Sequence, residues 1–174
     1  MKTLRAIAAL AIMAVAPALV QAKTPSAPLT LEGKVRHELA MLPYFNVFDN
    51  LAFRVDGGTV TLFGEVTRPV LKSDAENAVK KIEGVSRVDN QIEVLPLSPF
   101  DNQIRMRTYR AIFGYGPLQR YRMGVIPSIR IIVKNGNVTL MGAVSNEMDR
   151  NLAYMRANGV PGVFSVTNQL EVEK

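Results

Sequence analysis

Between Asn102 and Asn146 the chain carries no acidic residue, yet it holds Arg105, Arg107, Arg110, Arg120, Arg122, Arg130 and Lys134. Six of these seven cations are arginine. The planar arginine fork matches a phosphate, where lysine offers only a point charge. Tyr109, Phe113, Tyr115 and Tyr121 are interleaved with them. Arginines alternating with aromatics suit the binding of an anionic, phosphate-bearing surface. The plainer reading of any charge run is a solvated face that aids solubility.

Other chemistries find little support. The sequence has no cysteine, no tryptophan and a single histidine, His37. Thiolate metal sites, disulfides and cysteine nucleophiles are therefore excluded. His37 stands between Arg36 and Glu38 without a partner at ligand or triad spacing, and reads as a solvated surface residue. Glu147 and Asp149 resemble a carboxylate pair, but they fall in the first turn of a helix after Ser145, where they complement its dipole. Gly114-Tyr115-Gly116 runs into Pro117 and does not continue as a phosphate loop. The expectation is a protein that is not an enzyme and uses neither metal nor cofactor.

The cations need an element to position them. Ser98 can cap a helix over 99–113, with Pro99 at its first position, Asp101 at its third and Gly114 at its end. At about 100° per residue, Phe100, Ile104, Thr108, Ala111 and Ile112 share one face, which should pack on a sheet. Met106, Tyr109 and Phe113 fall opposite, flanked by Arg105 and Arg110, with Arg120, Tyr121 and Arg122 following beyond the helix. A solvent-facing side should not carry Met, Tyr and Phe in line. Two explanations fit. Either the helix lies in a lipid headgroup region with its arginines on phosphates, or this face docks on another part of the chain or on a partner.

The charge is unevenly shared. Residues 23–96 carry 9 basic and 10 acidic side chains, and residues 97–174 carry 10 and 5, within a chain of net charge +6. Ahead of both lies a secretion pattern. It comprises Lys2 and Arg5, the apolar run Ala6 to Val20, and Val20-Gln21-Ala22 with small residues where a signal peptidase reads. Fifteen apolar residues fall short of the roughly 20 that span a bilayer. The absence of cysteine excludes a lipoprotein. The expected products are a cleaved signal at 1–22, a flexible leader at 23–28 and a periplasmic protein, a compartment that argues against nucleic acid as partner.

The remainder is a duplication. Residues 53–94 shifted by 78 positions fall on 131–172 without a gap, and 15 of the 42 pairs are identical. The pairs include Gly58/Gly136, Val60-Thr61-Leu62/Val138-Thr139-Leu140, Gly64/Gly142, Gly84-Val85/Gly162-Val163 and Asn90-Gln91/Asn168-Gln169. Such matching means two copies of one small fold, at 29–95 and 99–174, joined by a proline-bearing linker at 96–98. In the first copy Thr30 caps a helix with the stripe Leu31, Val35, Leu39 and Leu42. Asp56-Gly57-Gly58 turns a hairpin, as Asn135-Gly136 does in the second copy. Thr67 caps a second helix with the stripe Leu71, Ala75, Ala78 and Ile82, and Gly84 closes it. Val88 to Val94 is a last strand. The fold class is α/β, an α+β sandwich. Each αββαβ unit is a three-stranded mixed sheet with two helices on one face, the last strand running parallel to the second. Units of about 65 residues have small cores and should pack on each other.

The pattern Val-x-x-Gly-x-Val-Thr-Leu-x-Gly-x-Val, a helix, then Gly-Val-x-x-Val-x-Asn-Gln-[Ile/Leu]-x-Val resembles the BON domain (bacterial OsmY and nodulation domain). A secretion signal followed by two such units is similar to periplasmic OsmY-like proteins of Gram-negative bacteria. The resemblance implies a non-catalytic envelope protein linked to osmotic stress, with phospholipid binding in some members. The second unit departs from it by an insertion between Gly114 and Ser128. It also carries Arg156 where the first has Ala78, which predicts a rotated or frayed helix there. Combined with the basic helix, the expected partner is an anionic phospholipid surface, met by Arg105, Met106, Tyr109, Arg110, Phe113, Arg120, Tyr121 and Arg122. Other envelope proteins are the alternative partners. Processing should leave Lys23 as the amino terminus of protein released by osmotic shock; N-terminal sequencing that returns Met1 instead would reject the secretion signal.

Overall fold

The computed structural model describes residues 30–124 and 126–173. The secretion pattern at 1–22 and the leader at 23–28 lie outside them. In chain order the elements are α1 (Leu31–Ala40), β1 (Asn50–Asp56), β2 (Thr59–Val66), α2 (Pro69–Lys80), β3 (Arg87–Asn90), β4 (Glu93–Val94), α3 (Pro99–Phe113), a 3-10 helix (Gly116–Arg122), β5 (Ile129–Lys134), β6 (Asn137–Val144), α4 (Glu147–Asn158) and β7 (Ser165–Val172). This is the αββαβ order twice.

In each unit a hairpin strand pairs antiparallel and the strand after the second helix pairs parallel. β1 and β2 put Phe53 opposite Leu62, and β5 and β6 put Ile131 opposite Leu140. β2 runs parallel to β3 and β4, and β6 runs parallel to β7. The last strand of the first unit is interrupted at Gln91–Ile92, whereas β7 continues unbroken. Two cores result. One gathers Val35, Leu39, Val60, Leu62, Leu71, Ala75, Val79 and Ile92. The other gathers Ile104, Ile112, Phe113, Leu118, Ile129, Ile131, Leu140, Ala153 and Ala157.

The repeated motif residues have repeated jobs. The Asn90 side-chain amide donates to Lys72 O at 2.9 Å, and its carbonyl oxygen accepts from Ile92 N at 3.2 Å. Asn168 does the same with Arg150 O at 3.0 Å and Leu170 N at 3.2 Å. Each asparagine thus ties the last strand to the second helix of its own unit. Gly64 and Gly142 lie at φ +116 and +108, and a Cβ there would meet the Asn50 oxygen at 2.2 Å or the Ser128 oxygen at 1.9 Å. Asn135 and Gly136 both take positive φ, at 52 and 77, as a tight hairpin turn requires.

Several local expectations are corrected. α1 ends at Ala40 rather than Leu42, and Tyr44 at φ 69 redirects the chain beyond it. The N-cap of α2 is Arg68, with no side-chain cap. Thr67 is drawn off because its hydroxyl donates to Asp49 at 2.7 Å. The third buried position of α2 is Val79 rather than Ala78. α4 is neither rotated nor frayed. It has 12 residues, as α2 has. It buries Asp149, Ala153 and Ala157, the counterparts of Leu71, Ala75 and Val79. Arg156 simply points outward, and its Nε donates to Ala111 O at 2.9 Å. The cap of α4 is Asn146, whose side chain accepts from Asp149 N at 2.8 Å.

Gly142→Ala and Gly64→Ala should each lower stability by roughly 2–4 kcal/mol, because the strain combines a left-handed backbone with a clash against main chain. Gly116→Ala, which meets nothing within 4 Å, should be near neutral. Urea midpoints measure the contrast, and equal midpoints for Gly142→Ala and Gly116→Ala would contradict this strand geometry.

Candidate functional site

The basic helix forms as its sequence dictates. Ser98 Oγ accepts from Asp101 N at 3.1 Å and Pro99 stands at the first position. Asp101 then does more than complement the dipole. Its carboxylate is 1% exposed and accepts from Asn135 N at 2.9 Å and Gly136 N at 2.8 Å, pinning α3 to the β5–β6 turn.

That pin fixes the helix rotation, and the rotation differs from the expected one. Ile104, Thr108 and Ile112 are buried as expected, but Phe100 is 44% exposed, while Arg105 and Phe113 are buried at 4% and 2%. Arg105 donates to Val133 O at 2.7 Å and to Asn102 Oδ1 at 2.6 Å. Burial lowers its pKa, opposed by the carboxylates of Asp101 and Asp49. It is a structural cation, held by carbonyls and unavailable to an outside ligand.

Tyr121 is corrected in the same way, being 6% exposed. Its hydroxyl donates to Asp149 Oδ2 at 2.5 Å and accepts from Ser145 N at 2.9 Å. Arg120 joins the network through an ion pair with Asp149, and its guanidinium lies 5.0 Å from the Tyr121 ring centroid. Hydrogen bonds to Tyr121 and Asp149 raise the pKa of Arg120. Asp149, assigned only a dipole role by its position, is a buried anchor joining the 3-10 helix to α4.

The aromatic stripe divides the units rather than facing solvent. Tyr109 lies 5.0 Å from Phe113 and, at 6.2 Å, edge-on to Phe48 of the first unit. Phe48 belongs to a connector between α1 and β1 that crosses to the second unit. Val47 O accepts from Ile131 N at 2.9 Å, and the Val47 side chain enters the second core. Arg130 clasps the same connector. It donates to Asn46 O at 3.2 Å and lies 4.7 Å from the Phe45 ring centroid. Burial, opposed by Asp49, lowers its pKa to about 10, so it remains charged at neutral pH. The connector holds its shape through Asp49, fully buried, which accepts from Thr67 N at 2.7 Å and Asn46 N at 3.1 Å. No spacing in the sequence marks this connector, because its partners lie some 80 residues away.

What stays exposed is the outer side of α3. Met106, Arg107, Arg110 and Tyr115 are exposed there, with Met155 and Arg156 of α4. Arg107, Met155 and Arg156 line a shallow groove of about 250 Å³ with Ala111 and Val160. Arg107 donates to Pro161 O at 3.2 Å, and Arg156 lies 5.1 Å from the Tyr115 ring centroid. Among the described residues, Arg107, Arg110 and Arg156 form no ion pair. Arg122 is also exposed. His37 is exposed on α1, and no cluster of metal-ligating side chains occurs among the described residues.

The sequence model of one family, described as BON domain, matches residues 29–96 and 121–174. Among curated proteins no sequence matches. Similar solved structures include two of CdsD, a structural protein of the type III secretion system of Chlamydia trachomatis. Its C-terminal domain is 12% identical, with 85% of this chain and 100% of that chain covered and a TM-score of 0.30. The other is 13% identical, with 83% and 93% covered and a TM-score of 0.32.

If Phe48 and Tyr109 clasp the units together, a double-mutant cycle of Phe48→Ala and Tyr109→Ala should show a coupling of about 0.5–1.5 kcal/mol. Additive losses in urea unfolding would remove this contact from the interface.

Proposed function

The chain belongs to the BON domain family, and from that premise we propose that it is a periplasmic envelope protein that binds anionic phospholipid through the second unit. BON domain proteins are typically periplasmic or envelope-associated, and the family is generally non-catalytic. The basic–apolar–small pattern of residues 1–22 supports secretion, and the units at 29–95 and 99–174 are the proposed domains. A role in osmotic stress is proposed on the same resemblance.

One observation carries the lipid reading. Three arginines with no carboxylate partner among the described residues share a surface with exposed Met106, Tyr115 and Met155. Cations beside apolar tips suit the headgroup boundary, where arginines meet phosphates and thioethers enter the acyl region. The proposed contact is therefore Met106, Arg107, Arg110, Tyr115 and Arg156, with Arg122 of the 3-10 helix contributing charge; Arg120 is left out because Asp149 neutralises it. Arg105, Phe113 and Tyr121 are left out because they are buried, and Tyr109 because it faces Phe48.

A scaffold reading is favoured by a different observation, the burial of the aromatic stripe between units. It predicts that Tyr109 and Phe113 act on stability alone.

Each arginine at an anionic surface contributes about 1 kcal/mol. Arg107→Glu/Arg110→Glu should therefore weaken binding to phosphatidylglycerol vesicles by roughly thirtyfold or more in co-sedimentation at low salt. Phosphatidylcholine vesicles should not bind the parent. Parent-like binding by a folded double variant would discard this site.

A further inference from the structure

Each unit has a groove at its strand edge, and among the described residues only that of the second unit is filled from within the chain. In the second unit the outer edge of β5 receives the connector, with Ile131 N donating to Val47 O. The internal offset of 78 places Leu51, Phe53 and Val55 of β1 where β5 has Ile129, Ile131 and Val133. Phe53 opposes Leu62 as Ile131 opposes Leu140, so the two N–H groups have the same orientation, away from the hairpin partner. Among the described residues β1 pairs only with β2, and the Phe53 N–H reaches no backbone acceptor outside its own sheet.

The helices flanking the two grooves correspond as well. Leu31 packs beside Gly84 as Phe100 packs beside Gly162, which sets Val35 against Ile104, Arg36 against Arg105 and Ala40 against Tyr109. Where Tyr109 fills the second groove and meets Phe48, Ala40 leaves room. The result is an open groove of about 620 Å³ along β1, walled by α1 and by Arg130 of the second unit.

Its chemistry is mixed. Leu39, Leu51 and Phe53 supply an apolar floor, and Arg36, Arg54 and Arg130 face it against the single carboxylate of Glu32. None of these three arginines is in an ion pair among the described residues. We propose that this groove receives an extended segment of a partner protein that carries apolar side chains and at least one carboxylate, added along β1 as residues 45–49 are held along β5. An edge strand with an unpaired N–H is a template for such addition: main-chain hydrogen bonds hold the segment, and alternate side chains select it. The surplus of cations sets the sign of the partner.

The test uses the full mature chain and a synthetic heptapeptide copying residues 44–50, which contains Val47, Phe48 and Asp49. Titration followed by NMR should give saturable shifts at residues 36–40 and 51–55. Ala40→Trp fills the groove and should weaken binding about tenfold. Arg54→Glu, on an exposed side chain, should weaken it several-fold while keeping the parent's thermal midpoint, and it decides the matter if Ala40→Trp does not fold. Shifts confined to residues 129–133 would mean that the peptide displaces the connector, and would overturn the proposal. So would failure to saturate, or binding unaffected by Arg54→Glu. Loss of phosphatidylglycerol vesicle binding in Arg54→Glu without any peptide binding would make the groove a lipid site and also overturn it. The Arg107→Glu/Arg110→Glu variant leaves this groove intact and should bind the peptide as the parent does, so failure of the lipid reading and failure of this one are separable.

Discussion

The hydrogen bond from Ile131 N to Val47 O stands for the constraint on which the rest of the molecule turns. Each unit is near the size at which a hydrophobic core barely offsets the entropy of ordering the chain. The second unit completes its core with a residue of the first, Val47, and the first extends a connector that a lone unit would leave in water. Such an arrangement demands that the connector keep one conformation. Tyr44 in the left-handed region and the Asp49 carboxylate on Thr67 N and Asn46 N provide it.

Buried carboxylates recur as the pins of this architecture. Asp49, Asp101 and Asp149 are all at most 4% exposed; Asp49 and Asp101 each accept backbone N–H groups, and Asp149 accepts from the Tyr121 hydroxyl and from Asn146 Nδ2 at 3.0 Å. A carboxylate taken from water is costly unless hydrogen bonds replace its hydration, and backbone donors at turns and helix starts do so with fixed geometry. Each pin joins elements that local sequence cannot align: the connector to the loop after β2, α3 to the β5–β6 turn, the 3-10 helix to α4. The rotation of α3, and with it the choice of which arginines reach solvent, follows from the second of these.

The duplication shows which parts of the fold tolerate change. The hairpin, the glycines at 64 and 142 and the asparagines at 90 and 168 are kept in both copies because backbone geometry and a strand-to-helix tie require them. The first helices have diverged in length, 10 residues against 15, and in what their flanks carry. Among the described residues one unit has an occupied edge and the other an open one, and the divergence gives the second unit its basic outer face. Two copies of one scaffold thereby present two different surfaces.

The repeat, the element order, the hairpin turns and the mixed sheets are legible in the order of residues, because these depend on periodicity, turn chemistry and residues within one unit. The same order also locates the cluster of arginines and aromatics that bears on the candidate site. Which members of that cluster face outward was decided by tertiary structure alone. Counting at 100° per residue gives the relative positions of side chains around α3 but not the zero of the angle. That zero is set by Asp101 on the β5–β6 turn and by Phe48 against Tyr109, contacts whose partners lie about 35 and 61 residues apart. Arg105 lies at the border of the apolar stripe, so a modest rotation moves it from surface to core, whereas Phe113 lies opposite that stripe and is buried in the cluster that Val47, Leu118 and Tyr121 complete. Arg130 shows the same limit, since nothing in its neighbourhood on strand β5 announces that a segment 84 residues earlier will close over it.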